Sequence, residues 1–126
     1  MKEGNGNDQP KNCLGDYGLA CEAPLSLPES VTAVAFAPLL LADGSYLLAA
    51  GLESGQLIFV AWSPRNCDND NPEWKIIKTL DESEAHHAAV KRIRFSPSSK
   101  SMLVASCSTD HSLKLFELSS VSFNAE

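Results

Sequence analysis

The chain has 126 residues, a hydrophobic share of 44% and a formal net charge of −6, which is room for one modest domain of ordinary soluble, intracellular composition. That negative balance argues against a general nucleic-acid clamp, because phosphate binding needs a concentrated positive surface. Lys2 is followed by no apolar run, so a secretory leader is not expected either.

Residues 4–12 are polar, and residues 14–27 carry Gly15, Gly18 and Pro24 without sustained alternation. This N-terminal stretch reads as disorder or as an irregular connecting loop. Short apolar runs then follow, each closed by turn formers: residues 31–37 before Pro38, 45–51 before the Glu53-Ser54-Gly55 turn, and 56–62 before Ser63 and Pro64. These are strand lengths, too short for helices. The apolar stretch from 31 to 52 is interrupted by Pro38, Asp43, Gly44 and Ser45, so two strands and a turn explain it better than a membrane span. After a polar loop over 65–72, residues 74–80 predict a fourth strand, with Trp74, Ile76, Lys78 and Leu80 on one face and Lys75, Ile77 and Thr79 on the other. Its lysines need water, which places it at a sheet edge. Residues 90–96, 102–107 and 113–118 predict three more strands, and no convincing fourth follows them.

The two halves of this pattern are copies. Residues 31–38 and 47–60 recur as 90–97 and 103–116: Val31, Val34 and Phe36 match Val90, Ile93 and Phe95, and the second segment matches at an offset three smaller. The three extra residues of the first copy fall within 39–46, a surface turn, since an insertion inside a paired strand would flip its side chains. Units that cannot bury an apolar face alone stack on copies of themselves. Four short antiparallel strands repeating roughly every forty to sixty residues point to propeller blades. The expected fold is all-β, about two four-stranded antiparallel blades of an incomplete β-propeller, with the second blade lacking its fourth strand.

His86 and His87, then Val90, Ile93, Phe95 and Pro97, then residues 103–116 with Asp110 in the turn and Phe116 on the third strand, resemble the WD-repeat consensus. Residues 29–36, 48–59, 87–95 and 105–116 are similar to the C-terminal part of the second subunit of the Elongator complex, a likeness that covers roughly residues 28–118. It implies an N-terminal segment 1–27, a degenerate WD-like blade 28–80, a WD-repeat blade 81–118 and a tail 119–126. It also implies that the chain is a fragment or truncated product of a protein with two propellers.

In WD repeats a histidine before the first strand, a Ser or Thr on the second, the turn Asp and a third-strand Trp form a hydrogen-bonded network inside the blade. The resemblance assigns these roles to His86, Ser106 (or Ser108) and Asp110, with Phe116 in the Trp position and unable to donate. A carboxylate in a tight turn suits this task, because it accepts backbone N–H bonds and a histidine proton together. The first copy has Leu27, Ser54 and Val60 at the corresponding places, so apolar packing is expected to hold it.

Other chemistries fit less well. Ser106, Asp110 and His111 have the letters of a hydrolase triad, but Ser106 lies in an apolar strand where no nucleophile is presented. Cys13, Cys21, Cys67 and Cys107 contain no Cys-x-x-Cys pair, which argues against a metal site or a disulfide scaffold. No cofactor, small-molecule ligand or membrane contact is expected. Lys91, Arg92 and Arg94 form the one basic cluster; they read as the solvated side of a strand, or as a contact for an acidic partner or RNA. The resemblance implies a non-enzymatic scaffold that binds other Elongator subunits in cytoplasm and nucleus, supporting transfer RNA wobble-uridine modification and transcription elongation. A generic WD-repeat adaptor for a ubiquitin ligase or chromatin complex is the alternative.

Overall fold

A computed structural model describes residues 24–64, 73–97 and 102–118. Seven strands occur: β1 (Val31–Phe36), β2 (Tyr46–Leu52), β3 (Leu57–Ser63), β4 (Glu73–Leu80), β5 (Val90–Phe95), β6 (Met102–Ser108) and β7 (Leu113–Leu118). They lie where the apolar runs predict them, and there is no helix among the described residues. The loop 65–72, the tail 119–126 and most of the segment 1–27 lie outside the described residues. All pairings are antiparallel, giving one sheet in the order β1-β2-β3-β4 and a second in the order β5-β6-β7. The two sheets stack face to face as successive blades of an incomplete propeller.

Side-chain size explains how closely they stack. Register pairs Ala33 with Gly51 and Ala35 with Ala49, so β1 and β2 turn small residues towards the second sheet. A Cβ on Gly51 would stand 2.6 Å from the Cβ of Val90, which is why glycine is required at this contact and not merely tolerated. Between the sheets lies a core of Leu47, Ala49, Leu57, Phe59, Ala85, Val90, Ile93 and Val104. Removing this apolar surface from water, at about 25 cal/mol per Å², supplies the main adhesion between sheets.

The β2–β3 turn reaches the second sheet as well. Gly55 has φ +109°, and a Cβ there would collide with the backbone carbonyl of His86. The His86 N–H donates to the Gly55 carbonyl at 3.1 Å, joining the sheets through their backbones.

On the other face of the first sheet, Leu52, Ile58 and Val60 pack with Leu25, Leu27 and Trp74. An aromatic row crosses the same face, one ring from each strand: Phe36 to Tyr46 at 6.2 Å, Tyr46 to Trp62 at 5.8 Å, and Trp62 to Trp74 at 6.2 Å between centroids.

β4 corrects the expected pattern of its faces. Its pairing with β3 shifts between Phe59 and Val60, so that Val60 opposes Ile76 while Phe59 opposes Lys78, and Ile77 is left over. This bulge reverses the alternation halfway along the strand. Trp74 and Ile76 stay on the aromatic face, while Ile77 and Leu80 both join the core between the sheets. β4 is an edge strand, with Lys75 and Lys78 exposed.

Candidate functional site

The densest polar cluster among the described residues lies where the loop entering β5 meets the β6–β7 turn. His86 and Ser106 are both buried, with relative exposures of 0% and 1%. Ser106 reaches the cluster because it opposes Ile93 on β5 and Lys114 on β7, on the face turned to the first sheet. Its Oγ lies 2.7 Å from His86 Nε2. The other ring nitrogen, Nδ1, lies 2.8 Å from Ser112 Oγ and 3.5 Å from Asp110 Oδ2.

Proton roles follow from the donors available. Ser112 donates its only hydroxyl proton to Asp110 Oδ1 at 2.5 Å, which leaves its oxygen to accept from Nδ1–H, and Ser106 Oγ pairs with the remaining ring nitrogen. Asp110 also receives the backbone N–H groups of Ser112 at 2.9 Å and His87 at 2.8 Å. The carboxylate thus joins turn, imidazole and incoming loop. Ser108 adds a second stitch, donating to the Ala88 carbonyl at 2.9 Å while accepting from Asp110 N–H at 3.0 Å.

His86, Ser106 and Asp110 therefore meet, with Ser106 and not Ser108 on the ring. Phe116 opposes Val104 and packs against the core. The hydrolase arrangement fails on its histidine: His111 is exposed in the turn at φ +74°, and the ring that meets Ser106 is His86. A buried ring and a buried hydroxyl, both already bonded, hold a fold together but present no nucleophile to a substrate. Lys91, Arg92 and Arg94 are exposed on β5, whose Ile93 is buried. Of the four cysteines, Cys107 alone lies among the described residues, half-buried on β6.

Ser112 was not among the expected residues, although its signal is present in the chain. Asp43-Gly44-Ser45, Asp81-Glu82-Ser83 and Asp110-His111-Ser112 share one geometry, in which a carboxylate oxygen accepts both the N–H and the hydroxyl of the serine two residues on. In each case the serine hydroxyl is the largest influence holding the aspartate below its usual pKa range. For Asp110 the His87 N–H adds to this.

The first sheet closes the same junction differently. Leu27, Ala50, Leu52 and Val60 stand where the second has His86, Ser106, Ser108 and Phe116, and three of these four form an apolar cluster with Ile58. The polar link is reversed: Glu29 of the incoming segment accepts the Ser54 N–H of the turn at 2.9 Å, whereas in the second sheet the turn carboxylate accepts from the incoming loop.

A depressed folded pKa stabilises the folded state above the ordinary carboxylate value of 3.8. This contribution is lost as pH falls towards the lowered value. Asp110→Asn is therefore expected to lower the melting temperature at pH 7 by about 5 °C and to flatten the loss of stability on acidification. Thermal melts from pH 7 to pH 3 check this, with Ser54→Ala as the control expected to shift little. Equal shifts for both variants would contradict the assignment.

No family model matches the chain. It is 34% identical over 113 residues to Elongator complex protein 2 of Danio rerio, covering 79% of this chain and 14% of that protein. It is 38% identical over 92 residues to the Drosophila melanogaster protein of the same name, covering 71% and 11%. The Rattus norvegicus protein is 28% identical over 108 residues, covering 78% and 13%. The chain thus spans between 11% and 14% of the length of these relatives. With two stacked antiparallel sheets and an inward-facing polar junction, the chain resembles, over most of its length, a part of Elongator complex protein 2.

Proposed function

We propose that the chain is a non-catalytic WD-repeat scaffold segment of an Elongator subunit 2-like protein. It supports assembly of a complex that acts in transfer RNA wobble-uridine modification and transcription elongation. The observation that carries this reading is the burial of the histidine and serine at the junction: His86 and Ser106 are 0% and 1% exposed, so their chemistry is spent on joining loop to turn. The sequence likeness to Elongator complex protein 2 supplies the biological context. Partners are other Elongator subunits, met in cytoplasm and nucleus through loops that the stacked sheets hold in place, such as residues 81–89.

Affinity purification of the tagged longer protein containing this segment tests the proposal. Co-purification of Elongator subunits, reduced by Asp110→Asn, is the expected result. Recovery of a ubiquitin ligase or a chromatin complex without them would overturn it in favour of a generic adaptor.

A further inference from the structure

The loop from β1 to β2 carries an apolar tip. Pro38, Leu39, Leu40 and Ala42 are all exposed, Leu39 at 40% and Leu40 at 54%. The tip stands on a fixed base. Ala37 N–H donates to the Leu47 carbonyl at 2.8 Å, Leu41 N–H to the Ser45 carbonyl at 2.8 Å and Gly44 N–H to the Leu41 carbonyl at 2.9 Å. Asp43 accepts from the N–H and the hydroxyl of Ser45, and Ser63 Oγ on β3 lies 3.1 Å from Ser45 Oγ. Ala37 and Leu41 pack against the core between the sheets. The loop is thus held by its backbone and by one leucine, while the two leucines before it meet water.

Blade stacking does not account for this tip. In the second repeat the neighbouring sheet is in place, with Gly51 against Val90 of β5. Yet residues 98–101, which follow β5 as 39–45 follow β1, read Ser-Ser-Lys-Ser, side chains that favour water over a packed sheet. A loop at this position therefore belongs to the rim of a blade, and a further sheet stacked beside β1 leaves it uncovered. The three residues by which the first copy is longer fall within 39–46. The first repeat has both lengthened this rim and made it apolar.

We propose that Leu39 and Leu40 anchor the protein to a partner subunit by entering an apolar pocket that has a lysine or arginine at its rim. The basic rim follows from Asp43, exposed beside the tip and the one charged residue of the loop 37–45, in a chain of net charge −6. Because the loop is fixed before it binds, little ordering entropy opposes the contact, and two adjacent apolar side chains serve as its centre. A lipid surface fits less well. Two leucines offer fewer apolar groups than one fatty-acyl chain, which by itself anchors only marginally, and anionic lipid repels Asp43. A second copy also fits less well, since a two-fold contact sets tip against tip and Asp43 against Asp43. The inference rests on the scaffold reading and deepens it, naming the loop that meets a subunit and the chemistry of the surface it meets.

The tagged longer protein containing this segment, purified with its subunits, tests it. Leu39→Ser with Leu40→Ser is expected to lower the recovery of one Elongator subunit at least about tenfold. Its melting temperature is expected to stay within about 2 °C of the unmodified protein, since both side chains are exposed. Unchanged recovery of every subunit overturns this inference alone, whereas recovery of no Elongator subunit with the unmodified protein overturns the scaffold reading and the inference with it. A photo-reactive side chain in place of Leu40 supplies the second measurement. Cross-links are expected on the subunit that the double variant loses, among apolar residues with a lysine or arginine beside them. Cross-links confined to another copy of the same protein, or to lipid, assign the tip elsewhere and overturn the proposal.

Discussion

Gly55→Ala is expected to destabilise the protein by about 3 kcal/mol or more, because two costs fall on one methyl group. The first is local: φ is +109°, a region that L-residues occupy at a cost of about 1–2 kcal/mol. The second is a collision with the His86 carbonyl, a backbone atom that cannot swing aside. His86 is held on three sides, by Ser106 and Ser112 at its ring and by Gly55 itself at its N–H. The methyl must therefore push the sheets apart or unpick the polar junction. His111 separates the two costs, for it occupies the matching place in the β6–β7 turn at φ +74° with its side chain exposed. A side chain fits this turn when no second sheet approaches it. Urea denaturation of Gly55→Ala beside His111→Ala measures the difference, and a loss below about 1 kcal/mol for Gly55→Ala would show that the sheets are not locked through this turn.

The repeat makes most of the architecture legible in the chain itself. Strand pleating has a period of two, so a half-buried strand writes its face into the chain directly. Residues 90–95 show this plainly, with Ile93 buried between exposed Arg92 and Arg94, whereas in 31–36 and 113–118 the large residues Val34, Phe36, Leu113 and Leu115 are the exposed ones. β4 does not show it, because the alternation from Trp74 to Leu80 looks unbroken and the bulge at Ile77 depends on how β3 pairs with it. Likewise His86, Ser106 and Asp110 were readable as a spaced set, whereas Ser112 belongs to a local turn whose meaning emerges only beside its two Asp-x-Ser counterparts. The pairing of Glu29 with Ser54 was hidden for another reason. It reverses the donor and acceptor sides of the second sheet, so comparing the copies residue by residue would search for it in the wrong place.

Phe59→Ala addresses the core between the sheets, and its expected cost is about 3–5 kcal/mol. Phe59 is 1% exposed and opposes Ala49 on β2 and Lys78 on β4. Neighbours as small as Ala49 and Ala35 cannot move in to fill the space a lost ring leaves, and backbone pairing on both sides of β3 prevents collapse. The cost therefore belongs to the upper part of the range for large-to-small changes. Leu115→Ala is the informative comparison, since Leu115 holds the same place in its own repeat but is 66% exposed; its expected cost is below about 0.5 kcal/mol. Phe59→Leu, which keeps most of the volume, is expected to retain most of the stability. Chemical denaturation of the three variants thus reports which face of each sheet is covered. Similar losses for Phe59→Ala and Leu115→Ala would mean that the two sheets do not stack through β3, and the close contact of Gly51 with Val90 would then need another explanation.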